Sequence, residues 1–300
     1  MASAPTATNT QEMDYPSPWQ NAWERSKTHI GLQIGFSIVL LAALAAIFAP
    51  LIAPADPYAQ SLTSRLLPAV WQPNGSWDHI LGTDAYGRDV LSRLLYGTQV
   101  TMIVGFGAAV VSGIVGSVLG ILGGYFGGKV DAVVIFLINV KLAMPGVLIA
   151  LSLVSIFGGS LISITVILAL LFWDRFAVVA RTATQQVCAN EYIAAAECVG
   201  ASRTWIIFRE ILPNIANQII IIGSLEMAIA ILVEAALSFL GLGIQPPTPS
   251  WGILVSEARA FMFLKPHLIV IPGMAIFILV IGINLLGDGI RDVTAPQGRN

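Results

Sequence analysis

Charged residues are scarce in this chain. They make up 11% of its 300 residues, whereas 56% are hydrophobic and the mean hydropathy is +0.80. Water-soluble domains carry charge on roughly a quarter of their residues. The composition therefore excludes a water-soluble domain and indicates a membrane protein. A net charge of −2, with no basic run in the sequence, also argues against a nucleic-acid partner.

Cysteine and histidine are also few. The spacing of the two cysteines, Cys188 and Cys198, fits neither a disulfide framework nor a metal site, so we expect free, reduced thiols. The three histidines, His29, His79 and His267, fall at helix ends or in loops. No catalytic or metal-ligating set can be assembled at membrane depth. We therefore expect no metal, no cofactor bound by this chain and no enzymatic activity of its own.

Long apolar runs dominate what is present. About 20 helical residues cross a bilayer, and residues with no alternating pattern cannot form a membrane barrel. Six segments qualify, and the predicted fold class is an all-α integral membrane protein with a six-helix bundle. The predicted spans are about 30–53, 99–124, 131–157, 160–181, 215–240 and 267–288.

Basic residues predict the orientation, because Lys and Arg are retained preferentially on the cytoplasmic side. With the N-terminus inside, eight basic residues lie in cytoplasmic segments and five in outer ones. This predicts cytoplasmic tails at 1–29 and 291–300, a transmembrane region at 30–290 and a cytoplasmic loop at 182–214. The first segment lacks the basic start of a secretory signal, so we expect the first span to be retained as an anchor.

The loop between the fourth and fifth spans mixes charge, small residues and helical spacing. The run EYIAAAECVGASRTWIIFREILPN, from 191 to 214, predicts a short amphipathic helix and a turn at Gly200-Ala201-Ser202. A second helical piece follows, with Ser202 as its cap. Pro213 is expected to end that piece, because proline lacks the backbone donor that a helix needs.

Several polar residues interrupt the apolar spans. Lys141 falls about 18 Å along its helix, so it should face other helices or a wet cavity. Pro145 is expected to kink the same helix, which also carries Asn139. Glu226 and Glu234 are eight residues apart, and both carboxylates could face one side of the bundle. For Glu234 we favour a carboxyl group that is hydrogen-bonded between helices or reaches the outer interface, whereas a role in a substrate pathway stays open for Lys141 and Glu226.

Two glycine-containing patterns and one charged loop have structural interpretations. Gly116, Gly120 and Gly124 recur at four-residue steps, which predicts close helix packing. The run GGYFGGKV at 123–130 nearly fits a phosphate-binding loop, but it ends in valine and follows a membrane helix, so we expect a turn and no nucleotide site. The first outer loop holds acidic and basic residues that we interpret as a neutralised cluster at the membrane surface: Asp84, Arg88, Asp89 and Arg93.

Four blocks of the sequence resemble one family. AAAECVG followed by ILPN resembles the cytoplasmic coupling loop of importer-type ABC transporter permeases. LGTDAYGRDVLSRLLYG at 81–97, AALSFLGLGIQPPTPSWG at 235–252 and NLLGDGIRD at 284–292 are similar to the dipeptide/oligopeptide/nickel permease family, in particular to its shorter permease subunit. The chain departs from that pattern at Ala194, Glu210, Phe136 and Asn139.

The resemblance implies a subunit of an ATP-driven importer of di- or oligopeptides in the bacterial inner membrane. It implies a heterodimer with a second, homologous permease subunit, two cytoplasmic ATPase subunits that hold ATP and magnesium, and a periplasmic solute-binding protein. It further implies that a coupling helix docks on one ATPase. The coupling residues would be Glu191, Ala194, Ala195, Ala196, Gly200, Ala201, Ser202, Leu212 and Pro213.

Other functions stay open at this point. Similar permeases handle nickel chelates, glutathione or other small solutes, and the substrate depends largely on the binding protein. An ion-coupled secondary transporter is an alternative of a different class, with a relay through Lys141, Glu226 or Glu234. No inverted repeat with paired broken helices is visible in the sequence, which disfavours that alternative. The candidate pathway residues are Asn139, Lys141, Glu226 and Glu234.

Overall fold

The computed structural model describes residues 24–294, and most of these residues are helical. Among them, extended pairing is limited to one antiparallel bridge between Thr83 and Asp89. Five helices are long and apolar enough to cross a membrane, and a bent pair makes up to six spans, so the predicted all-α fold class is confirmed. Residues 1–23 and 295–300, which make up most of the predicted tails at 1–29 and 291–300, lie outside the described residues. The helices are α1 Ile30–Ile52, α2 Val90–Phe126, α3 Gly128–Leu142, α4 Gly146–Phe157, α5 Leu161–Cys188, α6 Glu191–Cys198, α7 Arg203–Phe239, α8 Trp251–Ala258 and α9 His267–Thr294.

The long helices run alternately between two ends of the bundle, which we name after their short helices. At the α6 end, His29 before α1 contacts Asp292 near the end of α9 at 3.2 Å. At the α8 end, the backbone N–H of Gln245 donates to the carbonyl of Gly159, which joins the start of α5 to the segment before α8. Helices α2, α5 and α7 form the centre, and α1 and α9 pack together beside them.

The third span is not the single helix predicted for 131–157. This stretch instead forms two helices, α3 and α4, which meet at an angle of 83°. Pro145 lies directly before α4, with φ −62° and ψ 110°, so the chain is extended where a helix would have continued. Proline and the residue before it both disfavour the helical conformation, which explains why a predicted kink is a full break.

Helix α2 begins at Val90, well before the predicted start near 99. The carboxylate of Asp89 accepts a hydrogen bond from the backbone N–H of Ser92 at 2.8 Å and caps the helix. The first turns therefore contain charged and polar residues that a hydropathy criterion assigns to the loop. Helix α5 likewise continues to Cys188, beyond the predicted limit at 181.

The prediction that Pro213 ends a helix is wrong, because α7 continues through it from Arg203 to Phe239. The residues before the proline, Ile206–Ile211, form a π-helical segment, in which each turn contains an extra residue. We infer that this wider turn relieves the clash between the proline ring and the preceding carbonyls. The side-chain amide of Asn214, directly after the proline, donates to the carbonyl of Glu210 at 2.6 Å.

Candidate functional site

Helix α6 is held to the bundle by one buried side chain. Ile193 is 3% exposed and packs in an apolar cluster with Ile206 and Ile215 of α7 and with Ala180 of α5. A hydrogen bond of 3.4 Å from the Asn214 side chain to the Tyr192 hydroxyl adds a second contact. Helix α6 is therefore fixed in position although it has only eight residues.

Most of the remaining surface of α6 is exposed, although Glu197 accepts a hydrogen bond of 3.4 Å from the Tyr125 hydroxyl of α2. Ala194 and Ala195 are exposed, Ala196 is half-buried, and Val199 directly after the helix is 84% exposed. Glu191 lies in the first turn, where a carboxylate interacts favourably with the helix dipole. A small-residue face of this kind allows close approach of another protein.

Gly200 makes the turn between α6 and α7. Its φ of +83° is in the left-handed region that favours glycine. The N–H of Ala201 donates to the carbonyl of Ala196, and the N–H of Gly200 donates to that of Glu197, both at 3.0 Å. These two bonds are those of a Schellman motif. The predicted turn is thus present.

The start of α7 completes this end of the bundle. The hydroxyl of Ser202 accepts a hydrogen bond from the N–H of Trp205 at 3.3 Å, as expected of a helix cap. Leu212 packs against the cluster around Ile193, whereas Pro213 is exposed. The predicted coupling residues on α6, in the turn and around Pro213 therefore lie at one end of the molecule.

A second polar feature lies at the α8 end, where two arginines share two carboxylates. Arg88 contacts Asp84 through Nε at 2.6 Å and Glu257 through Nη2 at 2.8 Å. Nη1 of Arg93 lies 2.7 Å from Asp84 and 2.5 Å from Glu257. Burial favours a lower pKa for Arg88, but the charges of Glu257 and Asp84 outweigh it and raise the pKa. The predicted neutralised cluster includes a partner on α8, Glu257, that the sequence did not reveal.

Four charged residues deep in the spans form two ion pairs on three helices. Nζ of Lys141, in the last turn of α3, lies 2.5 Å from Oδ1 of Asp174 on α5, without the angles of a hydrogen bond. Nη1 of Arg175 donates to Oε1 of Glu226 on α7 at 2.9 Å. Lys141 thus contacts another helix, as its depth predicts, whereas Asn139 lies exposed on α3 outside both pairs.

Sequence reasoning missed the importance of Asp174 and Arg175. Two adjacent opposite charges within an apolar run were the available signal, but nothing in the local sequence named their partners. Of the four pairing residues, Arg175 has the most exposed side chain, at 45%, whereas Glu226 is fully buried. The surface of the bundle is therefore formed here by the arginine and not by the predicted glutamate.

Glu234 is enclosed at the α8 end. Its Oε1 accepts hydrogen bonds from the hydroxyls of Ser238 at 2.7 Å and of Ser250, just before α8, at 2.9 Å. Glu226 and Glu234 are both buried, but they contact different elements. Ser238 is on the same helix α7 as Glu234, so the carboxyl group is bonded both within its own helix and to the segment before α8.

The described residues 24–294 contain no group of three or more His, Cys, Asp or Glu side chains placed to hold a metal ion. The glycines of the run at 123–130 connect α2 and α3 through Gly127 and Gly128, both with positive φ. That run is a tight turn between two helices and lacks the strand that precedes a phosphate-binding loop.

Comparison with known proteins agrees with this architecture. Residues 116–299 match the family model described as binding-protein-dependent transport system inner membrane component. Residues 17–69 match the N-terminal transmembrane domain of oligopeptide transport permease C.

Similar proteins cover almost the whole chain. The dipeptide transport system permease protein DppC of Haemophilus influenzae is 39% identical over 94% of this chain and 95% of its own length. The di/tripeptide transport system permease protein DppC of Pseudomonas aeruginosa is 35% identical over 95% and 94%. The glutathione transport system permease protein GsiD of Pectobacterium atrosepticum is 36% identical over 94% and 92%. The chain therefore belongs to the family of inner membrane components of binding-protein-dependent transport systems, as a multi-pass permease subunit.

Proposed function

We propose that this chain is one permease subunit of an ATP-driven importer of di- or oligopeptides. It would form half of the translocation path, and a second, homologous permease subunit would form the other half. Two ATPase subunits would bind at the α6 end, and a solute-binding protein would deliver peptide at the α8 end. The names of the similar proteins, which specify dipeptide, di/tripeptide and glutathione transport, support a substrate with peptide bonds.

One observation carries the proposal: α6 is fixed by buried Ile193 while its small-residue face and Val199 remain exposed. A helix that is rigidly attached and also accessible is suited to transmit force from a partner to the spans. The continuous helix α7 begins one turn after Gly200, so displacement of α6 would act directly on a membrane-spanning helix. This arrangement favours an ATPase partner over an ion-driven mechanism.

The proposed orientation places the α6 end and both termini in the cytoplasm. Cys198 is exposed at this end, whereas Cys188 is half-buried. In intact cells, a membrane-impermeant thiol reagent should leave Cys198 unmodified, and the same reagent should modify it in inside-out vesicles. A Cys198→Ser variant provides the background signal. Modification from outside intact cells would invert the orientation and refute the proposed function.

Coupling is tested at Gly200 in the reconstituted complex of both permease subunits, the ATPases and the binding protein. Gly200→Leu should abolish the stimulation of ATP hydrolysis by peptide-loaded binding protein, while the complex still assembles in part. Gly200→Asn is the matched control, since asparagine tolerates positive φ better than other residues. Unchanged stimulation in the leucine variant would remove the coupling role.

The alternative of an ion-coupled transporter predicts a different dependence on energy source. Peptide uptake into vesicles should require ATP and should persist after the proton gradient is dissipated. Uptake that continues without ATP and follows the gradient would favour a relay through Lys141 and Glu226. Competition among a dipeptide, glutathione and a nickel chelate in the same assay would identify the solute class.

A further inference from the structure

Arg175 occupies an unusual position for a charged side chain. It lies in the middle of α5, about 20 Å from either end of the helix at 1.5 Å per residue, and 45% of its side chain is exposed. A guanidinium at this depth is costly in hydrocarbon, and such residues face the interior of a bundle or a water-filled cavity. The surface of the subunit around Arg175 is therefore not a lipid-facing surface.

The Arg175–Glu226 pair has a definite polarity. Glu226 is fully buried behind the arginine and accepts one hydrogen bond, from Nη1 at 2.9 Å. A guanidinium has five N–H donors, and the donors directed away from Glu226 remain accessible from outside the bundle. An approaching solute therefore encounters the positive end of the pair first. The second pair, Lys141–Asp174, lies nearby but is mostly buried, with side-chain exposures of 19% and 2%.

A groove lined by both apolar and polar residues begins one turn from Arg175 and extends towards the α6 end. It lies between α5, α7 and α9 and has a volume of about 610 Å³, which is within the usual size of a small-molecule site. Val179, one turn after Arg175, and Leu225, next to Glu226, form its inner part. Its polar lining residues are Gln218, Ser224, Asn284, Asp288 and Arg291.

Peptides with a free C-terminus carry a carboxylate, and a planar guanidinium is the side chain best matched to that group. We propose that Arg175 receives the C-terminal carboxylate of the transported peptide at mid-membrane, and that the groove from Val179 to Arg291 is this subunit's inner section of the path. The inference rests on the proposed function and specifies its substrate chemistry. The rival occupant of this surface is an acidic side chain of the partner permease.

The first test measures water access in the assembled complex. In a background with Cys188 and Cys198 replaced by serine, single cysteines are introduced as Val179→Cys and Arg175→Cys. Both should react with a membrane-impermeant methanethiosulfonate. In the Val179→Cys variant, where Arg175 is intact, an anionic reagent should react faster than a cationic one. Leu170→Cys, on a different side of α5 and 56% exposed, is the matched control and should react at least tenfold more slowly. Equal rates at 170 and 179 would overturn the path assignment.

The second test compares a labelled dipeptide with its C-terminal amide in ATP-dependent uptake, each supplied at concentrations that saturate the binding protein. The double variant Arg175→Gln/Glu226→Gln removes the pair without leaving a buried unpaired charge. It should transport the free acid at least tenfold more slowly and should transport the amide at the wild-type rate. The control Lys141→Gln/Asp174→Asn should keep the wild-type ratio of acid to amide uptake.

These outcomes distinguish a failure of the carboxylate assignment from a failure of the proposed function. An equal loss of acid and amide uptake would indicate a contact with the partner permease and would overturn the carboxylate assignment. Wild-type uptake of the acid by the Arg175→Gln/Glu226→Gln variant would overturn it as well. If the wild-type complex took up neither peptide with ATP, the proposed function would fail, and this inference would fail with it.

Discussion

The carbonyl oxygen of Trp173 occupies the position that a side chain on Gly116 would need: a β-carbon added to the glycine would lie 2.2 Å from that oxygen. The same relationship recurs along α2 and α5, with 2.5 Å between a β-carbon on Gly120 and the carbonyl of Ala177. The backbones of the two helices are therefore in direct contact. In a membrane, where packing holds helices together, such contacts contribute strongly to association.

Gly116→Ala should destabilise the protein, because the obstructing atoms belong to the backbone and cannot rotate away. Overpacking of this kind costs about 1–3 kcal/mol. Gly273→Ala is the matched control, since a β-carbon there meets no atom within 4 Å. Thermal unfolding of the purified complex should show a lower midpoint for the first variant alone. Equal midpoints would mean that α2 and α5 can move apart without a loss of thermal stability.

The glycine row illustrates what could be predicted from sequence. Its four-residue spacing identified a packing face, and apolar length identified the spans, because both depend on neighbouring residues in the chain. The partners of Lys141 and Glu226 could not be predicted, because Asp174 and Arg175 lie on another helix and local patterns carry no information about which helices pack together. The continuation of α7 through Pro213 was missed because a π-helical segment is a local exception to the rule on proline.

Glu257 should be essential to the α8 end. It is shared by Arg88 and Arg93, and Nε and Nη2 of Arg93 are buried with no protein hydrogen-bond partner among the described residues. Glu257→Gln would leave two buried cations with one carboxylate, and breaking a buried pair costs about 3–5 kcal/mol. We expect a large fall in the thermal midpoint and increased proteolysis of the loop before α2.

The raised pKa of Arg88 also determines how the cluster responds to pH. Because the pKa of Arg88 is higher in the folded than in the unfolded protein, its charge stabilises the fold fully at any pH below the pKa of the unfolded state. That stabilisation is lost only as the pH rises through the pKa of the folded state. Alkaline treatment up to about pH 10 should therefore leave this cluster intact, since arginine is effectively always protonated.

The control for Glu257→Gln is Lys265→Gln, in the loop before α9. A similar midpoint for Glu257→Gln and Lys265→Gln would contradict the structural role.

Substitutions of Ile193 and Val199 should distinguish the attachment of α6 to the bundle from its docking on a partner. Ile193→Ala removes the buried anchor and should cost about 2–5 kcal/mol, the usual range for a buried isoleucine. Val199→Ala changes a residue that is 84% exposed and should leave the thermal midpoint of the permease subunit unchanged. Val199→Ala should nevertheless reduce peptide-stimulated ATP hydrolysis, because its side chain is available to a partner. If Val199→Ala shifted the midpoint as much as Ile193→Ala, the exposed surface would have an internal packing role instead.

The ion pair between Lys141 and Asp174 should join the broken third span to α5. Helix α3 buries few side chains, chiefly Val134 and Ile138, and two ion pairs tie it to α5: Asp131–Arg181 at its start and Lys141–Asp174 at its end. Lys141→Gln and Asp174→Asn should each be more damaging than the two together, because a single change leaves a buried charge without its partner. A double-mutant cycle on thermal unfolding should give a coupling free energy of about 0.5–3 kcal/mol. Additive effects of the two substitutions would mean that the pair does not hold α3 in place, and that the packing of Val134 and Ile138 and the Asp131–Arg181 pair position the break at Pro145.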